Sequence, residues 1–167
     1  MKETTRPDIE QLIETFGSLG VTMLDGTSIS HVWRLSVLVN LFTGPLFKEI
    51  QEQFSIDRLS FVVLFTLRRQ SRLAARDIVQ ATGFPKNSIS RAISGLKKRE
   101  FIVDRINLND KRSKALQITE SGKEIVDEIL PMFERRQESM RSVLSSEERK
   151  IFDNCLEKII YSMPQWI

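Results

Sequence analysis

One cysteine and one histidine are all that this 167-residue chain holds of either type. A single thiol, Cys155, excludes an intramolecular disulfide and fits a reducing compartment. His31 and Cys155 cannot assemble a zinc site of the usual kind without recruiting carboxylates, so no metal site and no cofactor are expected. The nucleophile and phosphate-loop patterns of common enzymes are missing too: there is no G-x-S-x-G, no Gly-rich phosphate loop and no H-E-x-x-H. The chain is therefore not expected to be an enzyme. Long hydrophobic runs are also absent. Arg34, Asn40 and Lys48 break the longest apolar stretches, and none approaches the ~20 residues of a membrane span. Met1 to Arg6 is polar, without the apolar core of a secretory signal. No internal repeat or low-complexity segment is present. These absences leave a cytoplasmic protein with no membrane partner, built as one domain or as one domain with long arms.

What is present is an uneven distribution of charge. From Arg68 to Lys114 there are thirteen Lys or Arg against four Asp or Glu, a local balance of +9, while the remainder of the chain carries −6. A basic module on a mildly acidic frame points to a polyanionic partner.

Apolar spacing gives that module a shape. Ile89, Ala92, Ile93 and Leu96 recur at i, i+3, i+4 and i+7, one face of a helix. Pro85 suits the beginning of that helix. Its opposite face carries Lys86, Asn87, Ser88, Ser90, Arg91, Ser94 and Lys98, with no acidic residue before Glu100. Upstream, Leu73, Ile78 and Val79 outline a shorter helix that ends at Thr82-Gly83, where glycine suits a left-handed cap. Two helices joined by so short a turn describe a helix-turn-helix, whose second helix enters the DNA major groove. Beyond it, Phe101–Asn107 and Ala115–Thr119 read as paired strands rich in β-branched residues. The polar turn between them, Leu108 to Ser113, has a cationic tip. A hairpin in this place is a wing able to reach the minor groove.

Ala74-Ala75-Arg76-Asp77-Ile78-Val79, then Ile89-Ser90-Arg91-Ala92-Ile93 and Leu96-Lys97-Lys98-Arg99, then Asp110-Lys111-Arg112-Ser113-Lys114-Ala115-Leu116-Gln117-Ile118-Thr119-Glu120-Ser121-Gly122, resemble the MarR family of bacterial transcription regulators. The specific part is the Asp-x-Arg wing followed after three residues by L-x-[LI]-T-x-x-G. The resemblance covers roughly Trp33 to Met163. It implies a two-fold homodimer, a palindromic double-stranded operator and release by a small-molecule effector. Two positions depart from the pattern. Glu100 stands where a glycine usually follows the recognition helix, and a Glu in a left-handed conformation costs more than a Gly does. Asn107 stands where an Asp is frequent.

The remaining chain reads as helix. Pro7 to Phe16 forms a short amphipathic segment, and Leu19 to Ser28 a loop. Ser30 to Phe54 is a long helix with a kink expected at Gly44-Pro45. Ile56 to Leu67 is apolar most of the way round and expected at the centre. Thr119 caps a helix that runs to about Val143 and is interrupted at Pro131. Ser145 and Glu148 form a capping box for the last helix, which runs to about Met163, and the tail Pro164 to Ile167 offers Trp166 to a partner. Apolar stripes at both ends of the chain exceed what a small winged helix covers, which points to a second subunit. Cys155, within the last stripe, is expected to be a buried, inert thiol, and His31 to lie at the surface or an interface. Trp33, Val37, Phe61, Phe65 and Met132 either line a ligand cleft or form plain core, and no ligand residue is assigned.

The expected fold is thus mainly α with a small β-hairpin wing, a winged helix-turn-helix flanked by long dimerisation helices. Residues 1–54 supply an N-terminal extension and the first dimerisation helix, 55–119 the DNA-binding lobe, and 120–167 the C-terminal dimerisation helices. The expected function is sequence-specific DNA binding in transcription, by a repressor. Asn87, Ser88, Ser90 and Arg91 are expected to face bases, Arg112 to enter the minor groove with Asp110 orienting it, and Lys86, Lys97, Lys98 and Lys111 to serve phosphates. The alternatives are a winged-helix scaffold for docking proteins and a cysteine-based redox-sensing regulator.

Overall fold

The structure, a computed structural model, describes residues 30–106 and 114–165 together with positions 10, 14, 15, 17 and 20. The segment expected as a helix over 7–16, the loop over 19–28, the wing tip over 107–113 and Trp166 in the tail lie wholly or largely outside the described residues. The described elements are helix α1 (Ser30–Phe54), α2 (Arg58–Arg69), α3 (Ala75–Thr82), α4 (Lys86–Lys98), strands β1 (Ile102–Ile106) and β2 (Lys114–Ile118), α5 (Glu120–Arg141), α6 (Ser146–Ser162) and a closing 3-10 turn, Met163–Gln165. The chain is mainly α with a two-stranded hairpin, as the sequence leads one to expect.

The chain divides into two compact units, Met1–Pro45 and Leu46–Ile167. The described part of the first is chiefly the opening half of α1. There Val32, Leu35, Leu38, Val39 and Leu41 are exposed, while Trp33 and Val37, four residues apart, are half-buried. Helix α1 continues through Pro45, and the boundary between the units falls at that residue.

The second unit holds the core. Its fully buried side chains include Ile50, Ile56, Leu64, Leu67, Ile78, Ile89, Leu96, Ile102 and Ile129. They come from α1, the link after it, α2, α3, α4, β1 and α5, and β2 adds Ala115, Leu116 and Ile118 to the core. Helix α2 is central, burying Phe61, Val63, Leu64 and Leu67. It begins at Arg58 rather than at Ile56, because the Asp57 carboxylate caps it by accepting the Ser60 N–H at 2.7 Å. Phe61 stacks on Phe133 of α5 (centroids 4.7 Å apart) and on Phe65 (5.8 Å), with Phe47 set edge-on to Phe133. Offset and edge-on ring pairs of this kind stabilise beyond their buried area. Phe61 and Met132, weighed above as cleft or core, are buried in this packing.

Leu73 was expected inside the first helix of the helix-turn-helix and lies outside it. Helix α3 starts at Ala75, where the Asp77 carboxylate accepts the Ala74 N–H at 2.8 Å. Leu73 pairs instead with Leu116 of β2 as an isolated bridge, its carbonyl accepting the Leu116 N–H at 2.7 Å. Strands β1 and β2 are antiparallel with Ile102 opposite Ile118 and Asp104 opposite Leu116. Ile102, Leu116 and Ile118 are buried, which anchors the base of the wing to the core.

The last helix differs from expectation in its surroundings. No residue of α6 is buried. Ile151, Ile159 and Ile160 are exposed, and so is Cys155. The expected burial of Cys155 is not met within one chain, because the stripe on which it sits is itself uncovered.

Candidate nucleic-acid interface

Helix α4 owes its orientation to its two faces. Ile89, Ala92, Ile93 and Leu96 are buried, so the opposite face is turned to solvent. Gly83 ends α3 in a left-handed conformation (φ 68°), and Pro85 occupies the cap immediately before α4. The turn between the helices is therefore the three-residue linker Gly83-Phe84-Pro85. On the outward face Lys86, Asn87, Ser90, Arg91 and Lys98 are exposed. Ser94 is satisfied by its own helix, donating to the Ser90 carbonyl at 3.0 Å.

Two of the expected contact residues stand apart. Ser88 is half-buried and lines a cleft of about 360 Å3 with Asp57, Ser60 and Arg91, between the start of α2 and the flank of α4. Lys97 is half-buried and already paired, its ammonium 2.5 Å from the Asp104 carboxylate. The other oxygen of Asp104 lies 3.8 Å from the Lys114 ammonium. One carboxylate thus ties α4 to both strands at the base of the wing. Asp110, Lys111 and Arg112 fall outside the described residues. Arg105, on β1, reaches across the hairpin to the Gln117 amide oxygen at 3.0 Å.

Helix α4 ends on a strained residue. Glu100 is left-handed (φ 61°). Its N–H donates to the Lys97 carbonyl and the Phe101 N–H to the Leu96 carbonyl, both at 3.0 Å. That pair of bonds is the Schellman motif, and Leu96 and Phe101 sit where its apolar contact belongs. The glutamate therefore adopts the conformation that a glycine would adopt more easily.

The start of α5 closes on the same point. The Thr119 hydroxyl donates to the Glu100 carbonyl at 2.8 Å, and the Thr119 N–H donates to the Phe101 carbonyl at 3.0 Å. The same hydroxyl caps α5 by accepting the Gly122 N–H at 3.2 Å. A side chain at Gly122 would lie 2.3 Å from the Phe101 carbonyl oxygen, far inside contact distance. The T-x-x-G run thus has a physical reason: threonine binds the exit of α4, and glycine lets the backbone of α5 approach it. Neither the pairing of Lys97 with Asp104 nor the bridge at Leu73 has a local sequence signal, since each joins elements that the chain brings together only on folding.

No family model matches the chain. Among proteins of known sequence it is 26% identical over 131 residues to the HTH-type transcriptional regulator YwaE of Bacillus subtilis, covering 75% of this chain and 77% of that protein. It is 29% identical over 112 residues to the transcriptional repressor MprA of Escherichia coli, covering 66% and 64%. Among solved structures, a MarR transcriptional regulator from Methanosarcina mazei superposes with a TM-score of 0.74 at 18% identity, over 90% of this chain and all of that one. The chain has the MarR fold. A second MarR-fold structure, a DNA complex of MepR from S. aureus, superposes with a TM-score of 0.71 at 21% identity, over 83% of this chain and 99% of that one.

The MarR likeness fits the residues that carried the sequence resemblance. The named relatives are regulators of transcription and not enzymes. Among the described residues no three His, Cys, Asp or Glu side chains gather as metal ligands. Among those same residues no helix is long and apolar enough to cross a membrane.

Proposed function

We propose that this MarR-like chain regulates transcription in the cytoplasm by binding a double-stranded operator as a two-fold dimer. The observation that carries the reading is the outward face of α4. Lys86, Asn87, Ser90, Arg91 and Lys98 are exposed on it, and no carboxylate occurs on this helix. Arg91 suits the acceptor pair of guanine, and Asn87 the donor and acceptor of adenine. Lys86 and Lys98 suit phosphates, which supply affinity without sequence choice. Ser88, facing the cleft beside α2, serves better as a packing residue than as a base contact. Asp110, Lys111 and Arg112 would complete the interface from the wing, with Arg112 in the minor groove.

Occupying an operator blocks a promoter, so repression is the simplest consequence. The named relative MprA is a repressor, which supports that reading. The palindromic operator follows from the two-fold dimer, whose half-sites would lie about one helical turn, or ~34 Å, apart. Release by a small-molecule effector is the switch that the family resemblance implies.

Fluorescence anisotropy with duplex DNA from upstream of the chain's own gene, over a salt series with random competitor, tests the proposal. Log affinity should fall linearly with log salt at about 0.9 per phosphate neutralised, and binding should survive competitor. Equal affinity for random DNA would overturn sequence specificity. Absence of binding at low salt would overturn the DNA reading as a whole.

A further inference from the structure

Arg99 lies among the cations of α4 in sequence, between Lys97, Lys98 and the left-handed Glu100. By charge alone it belongs with the phosphate contacts. Its geometry is different. One terminal nitrogen donates to the Ser55 carbonyl at 2.6 Å and the other to the Phe54 carbonyl at 3.0 Å. Its guanidinium lies over the Phe101 ring, with Cζ 4.5 Å from the centroid.

Phe54 and Ser55 form the end of α1. Carbonyls at a helix C-terminus lack partners within the helix, and a cation is favoured there by the negative end of the helix dipole. Ser55 is itself left-handed (φ 54°). Two strained exits, one after α1 and one after α4, are thus joined by one side chain. A guanidinium meets two carbonyls at once while stacking on an aromatic face, and an ammonium does not.

Resting on the reading of α4 as the recognition helix, we propose that Arg99 is a positioning residue for DNA binding. It fixes the end of α4 against the end of α1, and touches no phosphate itself. The start of α5 holds the other side of the same junction through Thr119 and Gly122. Without Arg99 the tie between the ends of α4 and α1 is lost, and α4 gains freedom that binding must then remove.

The test compares Arg99→Gln, Arg99→Lys and, as a phosphate control, Lys98→Gln, by anisotropy on the same upstream duplex over a salt series. Circular dichroism melts establish that each variant is folded at the assay temperature. Both Arg99 variants should weaken binding by about tenfold, the loss of roughly one charge-assisted hydrogen bond. The slope of log affinity against log salt should stay at the wild-type value. Lys98→Gln should lower that slope by about 0.9. Arg99→Lys, which keeps the charge, carries the test if Arg99→Gln does not fold. A lowered slope in Arg99→Gln, restored by Arg99→Lys, would make Arg99 a phosphate contact and overturn the proposal. Unchanged affinity in folded variants would reduce Arg99 to a stability cap and overturn it as well. Either result leaves the DNA reading standing, whereas a wild-type chain that binds no duplex removes both.

Discussion

Glu100 shows at the scale of one residue how a sequence departure becomes a structural fact. An L-residue in the left-handed region places its Cβ close to the following carbonyl, at a cost of about 1 to 2 kcal/mol. Glu100 accepts that conformation (φ 61°) because hydrogen bonds on both sides of it leave no alternative: its own N–H and that of Phe101 are bonded into α4, and its carbonyl takes the Thr119 hydroxyl. Glu100→Gly should therefore stabilise the protein, by about 1 kcal/mol after the greater freedom of glycine in the unfolded chain is counted. Urea unfolding at pH 7 checks this through the midpoint at constant slope. A lower midpoint would mean that the exposed glutamate contributes more than its backbone costs. The expectation was legible in the sequence as a missing glycine. What held the strained residue in place was not, since Thr119 lies nineteen positions away.

At the scale of elements, the sequence was most legible where a pattern stays within one helix. The apolar faces of α2 and α4, the cap at Thr119 and the capping box at Ser145 all follow from local spacing. Contacts between elements were opaque, and Asp104 is the clearest case. It reads as a strand residue, yet it neutralises Lys97 on α4 and approaches Lys114 on β2. Asp104→Asn should free both ammonium groups for DNA. The salt slope should then steepen by about 0.9 for each lysine that reaches a phosphate, with nonspecific affinity rising more than specific affinity. An unchanged slope would show that Lys97 and Lys114 point away from the duplex.

Helix α6 offers a pH-dependent test of its own start. The Glu148 carboxylate accepts the Ser145 N–H at 2.8 Å. That backbone hydrogen bond first, and the Ser145 side chain second, hold its pKa below the ordinary value for Glu. The unfolded chain thus binds this proton more readily than the folded one. The stabilisation is full above the ordinary Glu range, about pH 4.3, and is lost as pH falls through the lower native value. Glu148→Gln should accordingly destabilise the chain at pH 7, and the difference should shrink as pH falls below the ordinary Glu range. A difference between wild type and variant that stays constant throughout the acid titration would show that the cap does not depend on the charged carboxylate.

At the scale of the whole molecule, one chain leaves large apolar side chains of two helices exposed. On α6, Ile151 is 61% exposed, Ile160 58% and Ile159 48%; on α1, Val32 is 65% exposed and Leu35 45%. Large apolar side chains left exposed along a helix mark an interaction site, and burying one of them contributes roughly 1.5 to 3 kcal/mol. A second copy of the chain is the occupant that the two-fold reading of DNA binding requires. The double variant Ile151→Glu, Ile159→Glu puts two carboxylates on the α6 face, about two turns apart, and no self-complementary apolar contact tolerates them. It should shift light-scattering mass from dimer to monomer at micromolar concentration. Because no residue of α6 is buried in the core that holds α4, each monomer should keep its fold by circular dichroism. It should also keep weak, salt-sensitive affinity for DNA while losing the preference for the operator over competitor. A variant that stays dimeric would place the subunit contact elsewhere than α6. A monomer with undiminished operator affinity would show that one half-site suffices, and would leave the bare face of α6 to a partner other than a second copy.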